Sequence, residues 1–423
     1  MARILMASFG LMAHNTRLMP WRTVLEVAAG LRSKGHEVVV LSIADTGRPM
    51  GSEVEHGIIM IQRKDIADMR ETLHGLIGDA NFDAMFIPVS WSQNWMMRKL
   101  LAGMAGIRIA YLPGSVFEIR HLLRAISKMP LADLLAYIAQ AVFPKPLVRR
   151  ALDDLGVRAV IANSDYSRDK LARQITQPVM TIAPGRDPVL ASPRGEKDNY
   201  LELHAKAPFF LFMGPPLPIR GAFVLLDAYL KIAESPDVPP LLCLFRSDTH
   251  LDTEKIKADV ERRWSHDKLI FVWSSLEPMA LQTHIDNALA IALPFLVVPS
   301  EIPLAVYEAA GMGKNIITTQ PHGTGDFVGK FGETVPVGDP DSLADALLRT
   351  IESGPSTLNE NALAAYQDLD DWETTARRWE SLAIDLGMPT QVILVECSDE
   401  RMVDPKPIAQ EDRPQDLIHI EKI

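Results

Sequence analysis

A chain of 423 residues, 47% hydrophobic and 23% charged, has enough material for two or three domains with buried cores, so disorder is not its default state. The formal net charge of -11 and a pI near 5.5 repel polyanions, which gives nucleic acid a low prior as a partner. Two cysteines, Cys243 and Cys397, are too few for a disulfide framework or a thiolate metal site, and a reducing, cytoplasmic setting is the expectation.

The N-terminus, MARILMASFG, is a short apolar run that stops at Gly10 without a cleavage pattern and reads as a buried first strand. WRTVLEVAAGLRSKG follows, with Val24, Val27, Ala28 and Leu31 at helical spacing and Gly35 as a stop; HEVVVLS is then a second strand. This is a βαβ unit. The apolar runs AMFIPVS, IRIAYLPG, AVIANS and VMTIAPG alternate with helical stretches, which predicts a parallel sheet covered on both faces.

From about residue 186 to 207 the chain turns polar and irregular, as an interdomain linker does. A second alternating series then opens with PFFLFMG and a helix from Ala222, and continues through PLLCLFRS, KLIFVWSS, LAIALPFLVVPS and NIITTQ. DPDSLADALLRTIESG carries an Asp-Pro start, helical spacing and a closing glycine. DDWETTARRWESLAIDLG places Trp372, Ala376 and Trp379 on one face, and beyond 388 the tail reads as loosely ordered apart from one strand-like patch. No run of apolar residues approaches the roughly 20 needed to span a bilayer.

Two such halves in tandem bring the carboxyl ends of two sheets to one cleft, where ligands bind in these folds. The stretch Leu293 to Thr319, LPFLVVPSEIPLAVYEAAGMGKNIITT, resembles the signature of glycosyltransferase family 4: a Pro-Ser loop, a helix carrying Glu, a small-residue run, Gly-Lys and a strand. TTQPHGTGDFV and ETVPVGDPDSLADAL continue the resemblance, FLFMGPPLPIRGAFVLLDAY is similar to the opening of the family's C-terminal domain, and AVIANSDYSRDKLAR and TIAPGRDPV resemble elements preceding the linker. The resemblance implies an α/β, GT-B fold of two Rossmann-like domains facing a cleft: residues 1–190 on the acceptor side, residues 205–370 binding the nucleotide-sugar, a helix over 371–387 crossing back to the first domain, and a tail over 388–423. It implies a retaining glycosyltransferase that moves a sugar from a nucleotide-diphosphate donor, without a cofactor or a metal. A non-catalytic GT-B-like binding or scaffold protein is the alternative; a nicotinamide oxidoreductase is disfavoured because no G-x-G-x-x-G turn follows the first strand.

A nucleotide-diphosphate sugar needs a cation or amides for its phosphates and a carboxylate for its ribose diol. Arg220 can reach phosphate oxygens bidentately, while Gly214 and Gly221 permit close backbone approach. The resemblance puts the family's loop lysine at Arg220 and its ribose carboxylate at Glu308. Pro303 and Leu304 open a helix whose amides can cup an anion. Each feature also has an ordinary reading, an exposed helix-start arginine or helix glutamate, but the apolar neighbours Leu304, Ala305, Ala309 and Ala310 turn the Glu308 helix inward. The first glutamate of the family's E-x7-E pair falls on Ser300, with Glu301 beside it as a candidate contact to sugar hydroxyls. The family's loop arginine falls on Pro215, its Gly-Gly on residues around His14 and Asn15, and a histidine common in its first domain on Pro113. Catalytic candidates are therefore Arg220, Glu301 and His14, with His121 and His322 as further polar groups; a lone histidine is more often structural.

Residues 119–150 combine an apolar face with Arg120, Arg124, Lys128, Lys145, Arg149 and Arg150. Two readings stand equally: a peripheral contact with anionic lipid or a lipid-linked acceptor, or a core-packed helix pair with snorkelling cations.

Overall fold

The computed structural model describes residues 1–12, 15–44, 53–54, 57–62, 81–89, 94–188, 208–246, 253–320, 322–354 and 358–389. Residues Met1–Thr390 form one compact unit, built on two sheets. The expected strand-like patch of the tail and most of the 186–207 linker lie outside the described residues.

The first sheet contains β1 (Arg3–Phe9), β2 (Glu37–Ala44), β3 (Glu53–Val54), β4 (Ile58–Gln62), β5 (Asn81–Pro88), β6 (Ala105–Tyr111), β7 (Val157–Ala162) and β8 (Val179–Thr181), in the order β3-β4-β2-β1-β5-β6-β7-β8. Every pairing is parallel except that of the edge strand β3 with β4. The second sheet contains β9 (Phe209–Gly214), β10 (Leu241–Phe245), β11 (Leu269–Val272), β12 (Ala288–Leu293), β13 (Ile316–Thr319) and β14 (Glu333–Val335), all parallel, in the order β11-β10-β9-β12-β13-β14. That is the doubly wound order, which reverses direction between its first and fourth strands. The reversal lies between β9 and β12, so the loops leaving these two strands flank an open crevice.

Strands such as β10 and β12 are buried along their whole length, as expected for parallel strands covered on both faces. The apolar run from Leu289 to Val298 is longer than the strand it contains. β12 stops at Leu293 because Pro294 cannot donate to a ladder, yet Phe295, Leu296, Val297 and Val298 are all buried. Burial there serves a loop: the amides of Leu296 and Val297 donate to the carbonyl of Ile219, tying the two loops at the reversal to each other.

Helix Trp21–Ser33 buries Val24, Val27, Ala28 and Leu31, the face its spacing predicts. Helix Trp372–Asp385 packs against it, with a Cβ on Gly30 reaching within 2.5 Å of the Ala376 methyl. Trp379 is 1% exposed and lies among Phe86 and Tyr111, with ring centroids 4.9 and 5.4 Å away. Truncating a buried side chain this size to alanine costs about 3–5 kcal/mol. The last described helix is thus part of the first lobe's core, and its N-cap Asp371 accepts from the Thr374 amide.

The segment from Ile119 to Ala141 departs from the simple division by sequence. Leu122, Ala125, Met129 and Leu134 belong to the buried cluster of the second sheet, with Phe209, Leu225 and Tyr229. Although these helices precede the linker in the chain, they cover the second lobe.

Candidate functional site

The site forms at the reversal point of the second sheet. After β9 the chain passes Gly214 and Pro215 and makes a single tight turn over Pro218–Arg220, and Gly221, at φ 76°, launches helix Ala222–Leu230. A Cβ on Gly221 would lie 1.8 Å from the Pro294 carbonyl oxygen, an impossible contact, so glycine is required both by conformation and by space. This clamp holds Arg220 beside the second loop, with its guanidinium carbon 5.7 Å from the Phe295 ring centroid.

Arg220, Arg246, Glu308, Ser300 and Pro303 share a cavity of about 350 Å³, whose wall also includes Gly214, Pro215 and Leu304. Arg246 follows β10, and its amide donates to the Gly214 carbonyl. No carboxylate of the described residues lies within ion-pair distance of Arg220 or Arg246, and the buried Nε of Arg220 has no hydrogen-bond partner there. Burial, reinforced by the charge of Arg246, lowers the Arg220 pKa to about 10. A desolvated cation beside a second cation, with a donor left over, is a costly arrangement until an anion arrives.

Glu308 lies on helix Leu304–Gly311, whose N-cap is Pro303; the proline thus takes the position just before the first turn. Its carboxyl is raised above the usual range by burial and by the charge of Asp187, while Arg22 and Arg246 pull the other way. It faces both this cavity and a neighbouring one lined by Arg17, Arg22, Glu26 and Asp187. Arg17, Leu18 and Met19, from the loop after β1, close the first cavity from the other lobe. Ser274, Ser275 and Leu276, just past β11, form its far wall.

Glu301 has a different setting. It is 1% exposed and occupies the left-handed region at φ 65°, a conformation that costs a non-glycine residue roughly 1–2 kcal/mol. Its carboxylate accepts from the Ser164 hydroxyl, from the Ser167 hydroxyl at 2.9 Å and from the Gly323 amide at 3.1 Å. Its amide donates to the Ser115 hydroxyl at 2.9 Å, and its carbonyl accepts from the Thr324 hydroxyl. Burial raises its pKa while the Ser164, Ser167, Ser115 and Gly323 contacts oppose that shift. Ser115, Ser164 and Ser167 belong to the first lobe, so Glu301 ties the lobes together and is not among the residues lining the 350 Å³ cavity. Gly114 makes the same junction tight, since a Cβ there would lie 2.3 Å from the Pro299 carbonyl oxygen.

The structure therefore brings together Gly214, Arg220, Ser300, Pro303, Leu304 and Glu308, with Gly221 as the clamp behind them. Glu301 stands apart, on the lobe junction. Pro215 lines the cavity, where it offers no charge. His121 is buried on helix Ile119–Arg124 and away from the cavity wall. His14 and the side chain of His322 lie outside the described residues. Arg246, Arg17 and the Ser274–Ser275 pair escaped the sequence reading; the available signal was that polar residues placed immediately after buried strands end up at the carboxyl edge of a parallel sheet.

Comparison with known proteins agrees with this geometry. Residues 207–353 match the family described as glycosyl transferases group 1. Thermosynechococcus elongatus sucrose-phosphate synthase is similar in structure at 19% identity, over 91% of this chain and 99% of that one, with a TM-score of 0.66. A glycosyltransferase from Rickettsia africae gives 15%, 91%, 98% and 0.64 by the same measures, and Anabaena HepE in complex with UDP gives 14%, 91%, 100% and 0.63. None of the curated protein sequences matches the chain. The fold is GT-B, and within it residues 207–353, most of the second lobe, match the group 1 glycosyl transferase model.

Proposed function

We propose that this chain is a family 4-like glycosyltransferase that takes a nucleotide-diphosphate sugar in the cavity of its second lobe and passes the sugar, with retention of configuration, to an acceptor held from the first lobe. The observation that carries the reading is the cation couple Arg220 and Arg246, without a carboxylate partner among the described residues, facing Glu308 across one cavity. A diphosphate satisfies the two guanidinium groups and the orphaned Nε; a ribose diol donates to Glu308. The nucleobase fits against the Ser274–Leu276 wall, and HepE, with the same fold, is a UDP complex.

In the transfer, the bond between the anomeric carbon and the diphosphate oxygen breaks, a bond to an acceptor hydroxyl oxygen forms, and that hydroxyl's proton passes to the departing diphosphate. Negative charge grows on the leaving diphosphate, and fixed guanidinium groups in a partly dehydrated cavity stabilise that charge more than water does. The helix amides after Pro303 add to the same effect. Arg220 and Arg246 supply the charge that a metal supplies elsewhere, so transfer proceeds without a divalent ion in a cytoplasmic setting where sugar nucleotides are made.

A thermal-shift series over nucleoside diphosphates and their sugars tests the proposal. A ligand held only by the native state at about 100 times its Kd adds about 2.7 kcal/mol of stability. Uridine diphosphate or another nucleoside diphosphate is expected to raise the Tm. No stabilisation by any member would remove the donor reading; stabilisation without release of nucleoside diphosphate from any sugar donor would leave a binding protein and remove the transferase.

A further inference from the structure

The helices over residues 119–154 expose apolar side chains in a way the rest of the described surface does not. Ile119, Leu123, Ile126, Leu131, Leu135 and Val142 are each between 41% and 64% exposed, although Leu122, Ala125, Met129 and Leu134 on the opposite side are buried in the second lobe's core. Helix Leu131–Ala141 is strongly apolar overall, yet only Leu134 is buried along it. A soluble helix with one face in the core normally turns polar residues to water. This one turns leucines outward, and such a patch marks an interaction site.

The charge of the region chooses the partner. Residues 119–154 hold six Lys and Arg against Asp133, Asp153 and Asp154, in a chain whose formal net charge is -11. Arg124, Lys145, Arg149 and Arg150 are exposed, whereas Arg120 is paired with Glu118. Apolar side chains bounded by cations suit the boundary between acyl chains and anionic headgroups. No single helix among the described residues is long and apolar enough to cross a bilayer; helices Leu131–Ala141 and Lys145–Asp154 reach that length and composition only as a pair bent by 69°, and the bend suits lying along a surface.

We propose that helices 119–154 form a docking surface for an anionic lipid bilayer, with Leu131 and Leu135 entering the acyl boundary and Arg124, Lys145, Arg149 and Arg150 on the headgroups. The surface lies on the lobe that carries the cavity, since Leu134 and Tyr137 of the same helix pack into the second lobe's core. A bilayer held here places an amphiphilic acceptor beside the cleft. The docking stands on exposed side chains and charge, independent of the donor reading.

Co-sedimentation of the full chain with two kinds of vesicle tests it: phosphatidylcholine alone, and phosphatidylcholine with phosphatidylglycerol in equal parts. The chain is expected to pellet with the mixed vesicles and remain in solution with the neutral ones, with added salt weakening the binding. Replacing Arg124, Lys145, Arg149 and Arg150 by serine should lower partitioning at least about 100-fold, from the attraction of each basic residue to an anionic surface. A second variant, Leu131→Ser with Leu135→Ser, alters only exposed positions and should also release the chain while keeping its Tm and its response to uridine diphosphate. Equal pelleting with both vesicle types, or no effect of either variant, would overturn the proposal. Self-association without lipid that the double leucine variant abolishes would overturn it as well, by giving the face to a second copy of the chain.

Discussion

Glu301 and Glu308 stand seven residues apart, across the start of one helix, and they have opposite surroundings. Glu301 is enclosed, its two carboxylate oxygens taken up by Ser164, Ser167 and the Gly323 amide. Glu308 is partly exposed, lines three cavities, and shares one of them with two guanidinium groups that have no carboxylate partner among the described residues. The lesson is that satisfaction of polar groups separates structure from function more sharply than residue type does. A carboxylate whose hydrogen bonds are complete is holding the protein together; charges left unanswered on a cavity wall await a ligand.

The contrast breaks most visibly at Arg220. Arg220→Met should lower kcat/KM for sugar transfer by about 100–1000-fold, the effect of removing one donor to a developing anion, and abolish stabilisation by uridine diphosphate. The same variant should leave the ligand-free protein no less stable, and more stable by about 1–3 kcal/mol if desolvation of the guanidinium dominates, because a pKa lowered to about 10 marks a cation that folding disfavours. Denaturant unfolding with and without nucleotide reads both effects. A loss of ligand-free stability equal to that of an ordinary core substitution would place Arg220 with Glu301 instead.

On the enclosed side, Glu301→Ala should cost about 2–4 kcal/mol, since it leaves two hydroxyls and an amide without an acceptor. Its effect on nucleotide binding by the folded fraction should be small, and a calorimetric Kd changed more than tenfold would erase the distinction. The smallest effect is in pH. With the Glu308 carboxyl raised above the usual range, ligand-free Glu308 takes up a proton at a higher pH than an ordinary glutamate. As pH falls through that raised value, the carboxylate proposed to accept from the ribose diol is lost. Stabilisation by uridine diphosphate should therefore decline toward mild acid by about 1 kcal/mol, a charge-assisted hydrogen bond's worth, and Glu308→Gln should show a flat, lower response over the same range.

Most of the fold could be read from periodicity. Val24, Val27, Ala28 and Leu31 on one helix, and the all-apolar strands β9, β10 and β12, point to doubly covered parallel sheets without further help. What periodicity could not show was burial outside regular structure: Phe295 to Val298 look like the continuation of β12, and only Pro294 hints that they are a loop. The cavity was partly legible, because Arg220 and Glu308 stand in recognisable local patterns. Arg246 was not, since its place beside Arg220 depends on the pairing of β10 with β9 across 31 residues of chain. Glu301 shows the limit most clearly. As a residue type it was a fair candidate for sugar contact, but its partners Ser115, Ser164 and Ser167 lie more than 130 positions away and on the other lobe, where no local pattern could announce them. Helices 119–154 were ambiguous between core and surface for a related reason: they are both, with residues 119–141 packed on the second lobe, Val148 and Leu152 on the first, and the other sides outward.

Helix Trp372–Asp385 has a consequence for synthesis. The first sheet is complete in sequence by Thr181, but the indole that fills the space beside Phe86 and Tyr111 leaves the ribosome about two hundred residues later. At roughly 5–20 residues per second, the nascent amino-terminal half must wait ten seconds or more, about the time of two hundred such additions, with part of its apolar surface uncovered. A chaperone acting on this protein during translation would find its target there.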